Sequence, residues 1–287
     1  MSWIVATLLS AVVLGFYDIA KKHAVARNAV MPTLLLATLA GSAAFVALTL
    51  LRGDLQTVTA GAPRDFLLIA LKSVLVSGSW ICVYAAMQTM PISLAAPIRA
   101  TSPVWTFLGA LLLYHELPSP MQAIGMATIF IGYFLFATLG KLEGFSWRSR
   151  GMTLILAGTL LGAASSLYDK FLLNSLHLNP TFVQFHFSLG LVVVLGLASL
   201  ALRGQTPFVW RWTIPVTGLA LILADALYFH AVAQPDSQIA VLALLRRSNI
   251  LISFGLGGLL FHDVNLRQKA LSLLIILAGT LILSLCR

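Results

Sequence analysis

Residues 92–99 read Ile-Ser-Leu-Ala-Ala-Pro-Ile-Arg, and residues 239–246 read Ile-Ala-Val-Leu-Ala-Leu-Leu-Arg. Both stretches are apolar, both end in an arginine, and Arg246 follows Arg99 by 147 positions. Because an arginine inside an apolar segment is costly, its return at the same point of two segments indicates a duplicated unit. A duplicated membrane unit is typical of carriers whose binding site lies between the two copies.

Two further landmarks support the duplication. A His-acid pair that follows the first stretch returns after the second, again 147 positions later. A Tyr-Asp pair near the start of the first half also returns in the second half. The two sets are His115-Glu116 with His262-Asp263, and Tyr17-Asp18 with Tyr168-Asp169.

The composition is that of a membrane protein. Hydrophobic residues make up 59% of the 287 residues, charged residues make up 9%, and the mean hydropathy is +0.95. An ordinary soluble domain has roughly a quarter charged residues, so this class is excluded. The apolar runs are continuous over about twenty residues, the length of a spanning helix, and do not alternate as barrel strands do. We therefore predict an all-α membrane protein.

The apolar runs predict ten transmembrane helices. A polar linker at residues 140–150 separates two units of five spans, residues 1–139 and residues 151–287. Because five is odd, two consecutive copies must insert in opposite orientations, which predicts two inverted five-helix repeats. The predicted spans 1 to 10 are Trp3–His23, Val30–Leu51, Asp65–Met87, Pro91–Tyr114, Met121–Leu139, Gly151–Leu173, Pro180–Leu202, Trp212–Ala233, Ser237–Phe261 and Lys269–Leu285.

Span 4 contains two internal prolines, Pro97 and Pro103, which should kink or locally unwind it. Span 9 has Leu244 and Ile250 at the matching positions. It carries three glycines near its end instead, and these indicate close helix packing more than a hinge.

The net charge of +9 favours lipid rather than nucleic acid as the partner, because most basic residues lie in short loops beside the spans. These residues are more numerous on the face with the loops after the odd-numbered spans, which would place both termini outside the cell. Cys82 and Cys286 are the two cysteines, and they provide neither a disulfide framework nor a metal cluster. The N-terminus lacks the basic region of a signal peptide, so we interpret it as the first span.

Two motifs follow one another at the end of span 4. Residues 102–105 read Ser-Pro-Val-Trp, and residues 111–116 read Leu-Leu-Leu-Tyr-His-Glu. They resemble the "S-P-V … L-L-L-G-E" pattern of the EamA-like branch of the drug/metabolite transporter superfamily. Gly125 and Gly132 lie where the next helix of that family carries glycines.

The second half resembles the family at residues 259–263 and at Ala278-Gly279, with Asp263 in place of the usual Glu and Ile250 in place of the usual Pro. The resemblance implies a ten-helix carrier that moves small metabolites or nucleotide sugars by alternating access. It also implies a central cavity lined by spans 3, 4, 8 and 9, with contributions from spans 1 and 6. It implies cytoplasmic termini, which disagrees with the charge count, so the orientation is open. The paired arginines are not part of the family pattern.

Charged residues inside the spans mark the candidate site, because each costs several kcal/mol unless it is paired or hydrated. Asp18 and Arg99 lie at a similar depth from one face, roughly 8–12 Å at 1.5 Å per residue, so we expect them to pair. The repeat predicts a mirror pair of Asp169 with Arg246. Such pairs could close the two ends of a carrier alternately. The alternatives are static structural pairs, or arginines that extend to the membrane surface.

The halves differ at two charged positions: Asp225 matches Ser79, and Arg247 matches Ala100. One interpretation pairs Asp225 with Arg247, and the spare arginine would then attract an anionic group. Alternatively, Asp225 binds a proton or cation and couples it to transport. Lys170 is expected at the membrane interface, as are Lys21 and Lys22, while Lys72 fits a site or a structural role equally.

Four aromatic residues could line a site that is apolar on one side and polar on the other: Trp80, Tyr84, Tyr168 and Tyr228. The basic residues in or near spans outnumber the acids, and this favours an anionic or zwitterionic substrate. The basic residues are Lys72, Arg99, Lys170, Arg246 and Arg247, and the acids are Asp18, Asp169 and Asp225.

Motifs of zinc hydrolases, phosphate-binding loops and nucleophile elbows are absent from the sequence. We therefore predict a secondary active transporter of a small polar metabolite in the cytoplasmic (inner) membrane, not an enzyme, with no cofactor and no metal. A monomer and a homodimer are both open. The alternatives are a translocase of lipid-linked headgroups, and a membrane sensor or assembly subunit that moves no solute.

Overall fold

The computed structural model describes residues 1–89, 98–99, 101–138, 149–201, 206–249, 251–252 and 266–285. Within these ranges the secondary structure is helical, and no strand occurs. The helices are α1 (Trp3–Val25), α2 (Val30–Leu51), α3 (Leu55–Thr59), α4 (Pro63–Thr89), α5 (Ser102–Tyr114), α6 (Pro120–Thr138), α7 (Arg150–Lys170) with a π-helical continuation (Phe171–Ser175), α8 (Pro180–Ala201), α9 (Thr213–Val232), α10 (Ile239–Arg247) and α11 (Leu266–Leu285).

The helices agree with most of the predicted spans. α1, α2, α4, α6, α7, α8, α9 and α11 each begin within three residues of a predicted start. The short helix α3 was not predicted. Six of the described helices are long and apolar enough to cross a membrane. Side chains such as Leu112 and Phe134 point outward, as expected for a surface that faces hydrocarbon.

The chain forms two compact units. The first comprises Met1–Ser77 and Tyr168–Pro235, and the second comprises Gly78–Leu167 and Asp236–Arg287. Each unit therefore combines segments from both halves of the sequence. The predicted repeats describe how the sequence is duplicated, whereas the two compact units describe which segments pack together. The repeat boundaries and the ten-span inverted topology therefore stay predictions.

In the first unit, α9 packs against α1 and α2. Gly41 of α2 and Gly218 of α9 lie where the two backbones cross, and a Cβ atom built on either glycine would overlap the other helix. The Ser10 hydroxyl of α1 donates a hydrogen bond to the Ala224 carbonyl oxygen of α9 at 2.7 Å. Small and hydroxyl-bearing residues thus allow close helix contact where no hydrophobic effect drives association in lipid.

The connection between α1 and α2 is fixed by the buried side chain of Asn28. Its amide group donates to the carbonyl oxygens of Ala24 at 3.0 Å and Val209 at 2.7 Å. Its amide oxygen accepts from the N–H groups of Ala29 at 2.9 Å and Val209 at 2.7 Å. One side chain therefore ties this connection to the segment that precedes α9.

In the second unit, α6 packs on α11, and α10 contacts α5, α6 and α11. The hydroxyl of Tyr114, at the end of α5, donates to the Leu167 carbonyl oxygen of α7 at 2.7 Å. The Ser79 hydroxyl of α4 donates to the Gly158 carbonyl oxygen of α7, also at 2.7 Å. These bonds join α7 to α5 and to α4.

Candidate functional site

Thr101 and Ser248 lie 147 positions apart and form two turns of the same kind, one in each half of the chain. Each hydroxyl donates a hydrogen bond of 2.6 Å to the carbonyl oxygen three residues earlier, that of Ile98 for Thr101 and that of Leu245 for Ser248. The backbone N–H of each residue donates to the same carbonyl oxygen at 3.1 Å. The two halves therefore share a local structure as well as a sequence pattern.

The correspondence extends past the turn. Val104 donates its N–H to the Thr101 carbonyl oxygen at 2.9 Å, and Leu251 donates to that of Ser248 at 2.9 Å. A hydroxyl that bonds to a carbonyl of the preceding turn competes with the helical hydrogen-bond ladder. Accordingly, α10 ends just before Ser248, and α5 begins just after Thr101.

Span 9, predicted as one helix over Ser237–Phe261, has a turn at Ser248: α10 runs to Arg247, and residues 249, 251 and 252 are again helical. At this turn the Ser248 hydroxyl bonds to the Leu245 carbonyl oxygen. Residue 250 and residues 253–261 of the span lie outside the described residues. In span 4, Pro103 lies in the first turn of α5. The N–H groups there have no partner within the helix, so the missing N–H of proline costs no hydrogen bond. Pro97 and the three glycines of span 9 lie outside the described residues.

The three candidate arginines lie beside these turns. Arg99 precedes Thr101 by two residues, and Arg246 and Arg247 are the last residues of α10. All three side chains are half-buried. Interrupted helices that carry charged groups are the usual way to place polar groups within a membrane, because backbone polar groups at the break can then face a bound solute.

A second cluster of charges lies in the first unit. Lys72 of α4 and Asp169 of α7 form an ion pair, and their side chains are only 2% and 5% exposed. Removing two charges from water is expensive, and a buried pair rarely stabilises a fold more than apolar residues of the same size would. The pair is therefore poorly explained by stability alone.

Aromatic rings surround the Lys72 ammonium group. Its Nζ lies 4.2 Å from the ring centroid of Phe187 and 5.1 Å from that of Phe229. The two rings contact each other edge to face, with their centroids 6.0 Å apart. Ring faces attract a cation, most strongly where water is excluded. We call Lys72, Asp169, Phe187 and Phe229 the caged ion pair.

Tyr228 and Asp225 of α9 adjoin the caged ion pair. The buried Tyr228 hydroxyl donates a hydrogen bond to Asp169, and the Asp225 carboxylate is close enough for its charge to act on Asp169. Asp225 and Phe187 also line a recess of about 20 Å³ between α2, α8 and α9. That volume holds about one water molecule. The predicted residues Asp169, Asp225 and Tyr228 are thus brought together.

The other predicted site residues are more dispersed. The Tyr168 hydroxyl donates to the Leu68 carbonyl oxygen at 3.1 Å, one helical turn from Lys72 on α4. Asp18 forms a half-exposed ion pair with Lys21 at 3.0 Å on its own helix. Trp80 is half-buried on α4. Tyr84 lies on the same helix, and its side chain is outside the described residues.

The sequence analysis did not identify Lys72 as the partner of Asp169. Depth along a span suggested Arg246 instead, and depth alone says nothing about which way a side chain points around its helix. The predicted pairs Asp18–Arg99, Asp169–Arg246 and Asp225–Arg247 stay predictions. Lys170, expected at the membrane interface, is buried. Within the described ranges, no group of three His, Cys, Asp or Glu residues could hold a metal ion.

Residues 1–138 match the sequence model of the EamA-like transporter family. This match confirms the resemblance that the motifs of the first half indicated. The family and the apolar helices together support a multi-pass membrane protein. Members of the family are transporters rather than enzymes.

A solved structure titled "Crystal structure of protein" has the same fold over nearly the whole chain. The TM-score is 0.76, the sequence identity is 17%, and the alignment covers 99% of each chain. At this identity the likeness concerns the fold alone. No curated protein sequence matches the chain.

Proposed function

We propose that the protein is a secondary active transporter that moves a small anionic or zwitterionic metabolite across the cytoplasmic membrane by alternating access. The observation that carries this proposal is the pair of matching turns at Thr101 and Ser248, each two residues after one of the paired arginines Arg99 and Arg246. Transporters with duplicated units commonly bind their solute at such interruptions. The family match to residues 1–138 supports the same class of function.

In this proposal, the ten spans form two inverted repeats, and the arginines bind the negatively charged group of the solute. A guanidinium group presents a planar set of donors that matches a carboxylate or phosphate. The aromatic residues Trp80, Tyr84, Tyr168 and Tyr228 would line the path beside Arg99, Arg246 and Arg247. Asp18, Asp169 and Asp225 would couple or gate the movement. A gradient of solute, protons or cations drives transport.

The caged ion pair supports a role in the transport cycle. The buried Lys72 ammonium group contacts one carboxylate and two ring faces. If the carboxylate is protonated or moves away, the ring faces still attract the positive charge, so the lysine has a second stable environment. Carriers need such alternative arrangements, because a ligand can shift a conformational equilibrium only between states that both exist.

The proposal is tested by reconstitution. A thermal-shift screen of the purified protein against metabolites identifies a ligand, because ligands stabilise the state to which they bind. Uptake of that ligand into sealed liposomes is then measured for the wild type, Arg246→Ala and Arg246→Lys, with the exposed Arg150→Ala as a matched control. We expect uptake to be lost in Arg246→Ala, to be weakened in Arg246→Lys and to be unchanged in Arg150→Ala. Uptake that is independent of Arg99, Arg246 and Arg247 would refute the site assignment.

A further inference from the structure

The segment that precedes α9 presents aromatic side chains at one end of the first unit. Residues 207–212 read Pro-Phe-Val-Trp-Arg-Trp. Trp210 and Trp212 are 62% and 69% exposed, and Phe208 is exposed as well. Exposed tryptophans near the ends of membrane-spanning helices typically lie at the level of the lipid headgroups, because the indole ring is apolar and its N–H group is polar.

This segment is fixed to the end of α1. The Asn28 side chain makes two hydrogen bonds of 2.7 Å to the backbone of Val209. The Arg211 guanidinium group donates a hydrogen bond to the His23 carbonyl oxygen. The Nδ1 atom of His23 lies 3.0 Å from the hydroxyl oxygen of Thr213, at the start of α9. The aromatic side chains therefore have a defined position relative to the basic residues of α1.

Three helices that are long and apolar enough to span a membrane have an end at this surface. α1 ends at Val25, α2 begins at Val30, and α9 begins at Thr213. Ala24 of α1 and Ile214 of α9 belong to one buried apolar cluster just inside these ends. Because a spanning helix is about as long as the hydrocarbon core is thick, its end lies near the headgroups. We therefore expect this surface at the headgroup level of one leaflet.

The charge at this surface is strongly positive. Residues 17–30 and 206–213 contain four basic residues and one acidic residue, which gives a net charge of +3 with histidine neutral. The basic residues are Lys21, Lys22, Arg27 and Arg211, and the acidic residue is Asp18. Asp18 forms an ion pair with Lys21 at 3.0 Å. A ligand with a net negative charge therefore complements the surface.

Arg27 and Arg211 are the groups best placed for an anionic ligand. Arg27 is exposed and lies in a left-handed turn with φ of 51°, between the end of α1 and Asn28. Arg211 is half-buried, and its bond to the His23 carbonyl oxygen orients its guanidinium group. A guanidinium group has five N–H donors in a planar fork, so a group that makes one bond to the backbone still has donors for a phosphate.

We propose that this end of the first unit binds the headgroup of an anionic phospholipid. Arg27 and Arg211 bind the phosphate group, and Lys22 adds to the positive potential. Trp210 and Trp212 lie against the glycerol region and the upper acyl chains. A zwitterionic lipid also has a phosphate, but its own ammonium group offsets the charge, so the surface prefers a lipid such as phosphatidylglycerol. This lipid site does not depend on the transport function proposed above.

The test identifies the lipid next to Trp210 and Trp212. The purified protein is reconstituted into vesicles of phosphatidylcholine and phosphatidylglycerol, in which one lipid at a time carries dibrominated acyl chains that quench tryptophan fluorescence on contact. The quenching that is lost in Trp210→Phe/Trp212→Phe reports these two tryptophans alone. Both leaflets have the same composition, so the orientation of the protein does not affect the result.

The relative binding constant of the two lipids is compared for the wild type, Arg27→Asn and Arg211→Gln. Asparagine tolerates the left-handed conformation of Arg27, and glutamine keeps a donor for the His23 carbonyl oxygen. Arg27→Asn changes an exposed side chain, so it gives a result even if Arg211→Gln does not fold. Arg52→Gln is the control, because Arg52 is exposed at the opposite end of α2, about 33 Å away at 1.5 Å per residue.

We expect the wild type to prefer phosphatidylglycerol about 25-fold next to these tryptophans, because each arginine contributes about five-fold, which corresponds to ~1 kcal/mol. Each single variant should lower the preference about five-fold, and Arg27→Asn/Arg211→Gln should remove it, whereas Arg52→Gln should leave it unchanged. A preference that persists in the double variant, or that Arg52→Gln lowers equally, would reflect the overall charge of the protein and would overturn the proposal. Quenching by neither lipid would place the segment away from the bilayer and would overturn it as well.

Discussion

Removing one charge of the caged ion pair should destabilise the protein strongly, and removing both charges should destabilise it less. Lys72→Met leaves the Asp169 carboxylate buried beside the Tyr228 hydroxyl without the ammonium group that balances its charge. Removing one partner of a buried pair costs about 3–5 kcal/mol. Asp169→Asn leaves the ammonium group between the Phe187 and Phe229 rings, and this attraction offsets part of the loss, by about 2 kcal/mol at a site without water.

The double variant Lys72→Met/Asp169→Asn contains no uncompensated charge. Replacing a whole buried pair with neutral groups is often close to neutral, so the double variant should be more stable than Lys72→Met alone. The coupling energy between the two positions should then reach about 2–3 kcal/mol. The expected order of the loss of stability is Lys72→Met first, then Asp169→Asn, then the double variant.

The assay is reversible unfolding in mixed detergent micelles, followed by tryptophan fluorescence. Lys21→Met is the matched control, because the pair of Lys21 with Asp18 is half-exposed, with side chains 32% and 29% accessible. Its loss should cost less than about 1 kcal/mol. If Lys72→Met is also within about 1 kcal/mol of the wild type, or if the two single effects simply add, the ion pair is not the buried, coupled unit described here.

Two further substitutions test the packing of the first unit. Gly218→Ala places a methyl group against the backbone of α2 and should lower the stability by about 1–3 kcal/mol or prevent folding. Gly196→Ala is the control and should be tolerated, because the added carbon meets no atom within 4 Å. Expression and thermal unfolding of the two variants compare them directly, and equal stability would contradict the close crossing. Asn28→Ala removes four hydrogen bonds and leaves the Val209 N–H unsatisfied, so a loss of about 2–4 kcal/mol is expected in the same unfolding measurement. A loss below about 1 kcal/mol would mean that water replaces these bonds.

The spans could be predicted from the sequence because their length is set by the thickness of the hydrocarbon core and their composition by its polarity. The turn that ends α10 at Ser248 could not be predicted in this way. A serine inside an apolar run is compatible with a continuous helix, and only the folded chain shows that its hydroxyl bonds to the Leu245 carbonyl oxygen. The matching Thr101 could have served as a signal, since a hydroxyl residue follows the arginine by two positions in both halves.

The site was predicted in part. The intramembrane charges were recognised because they are costly, and the structure groups Asp169, Asp225 and Tyr228. The choice of Lys72 as the partner of Asp169 depends on the rotation of α4 and α7 about their axes. That rotation follows from packing contacts such as the bond of Tyr168 to Leu68, which sequence depth does not describe.

Counterflow tests the central claim most directly. Liposomes that contain the purified protein are loaded with an excess of the unlabelled ligand found by thermal shift, and a trace of labelled ligand is added outside. A carrier that alternates between two faces must accumulate the label transiently above its equilibrium level, because outward movement of unlabelled ligand returns the site to the outer face. Label that enters only to equilibrium would indicate a channel. Label that does not enter at all would indicate a protein that binds solute without moving it.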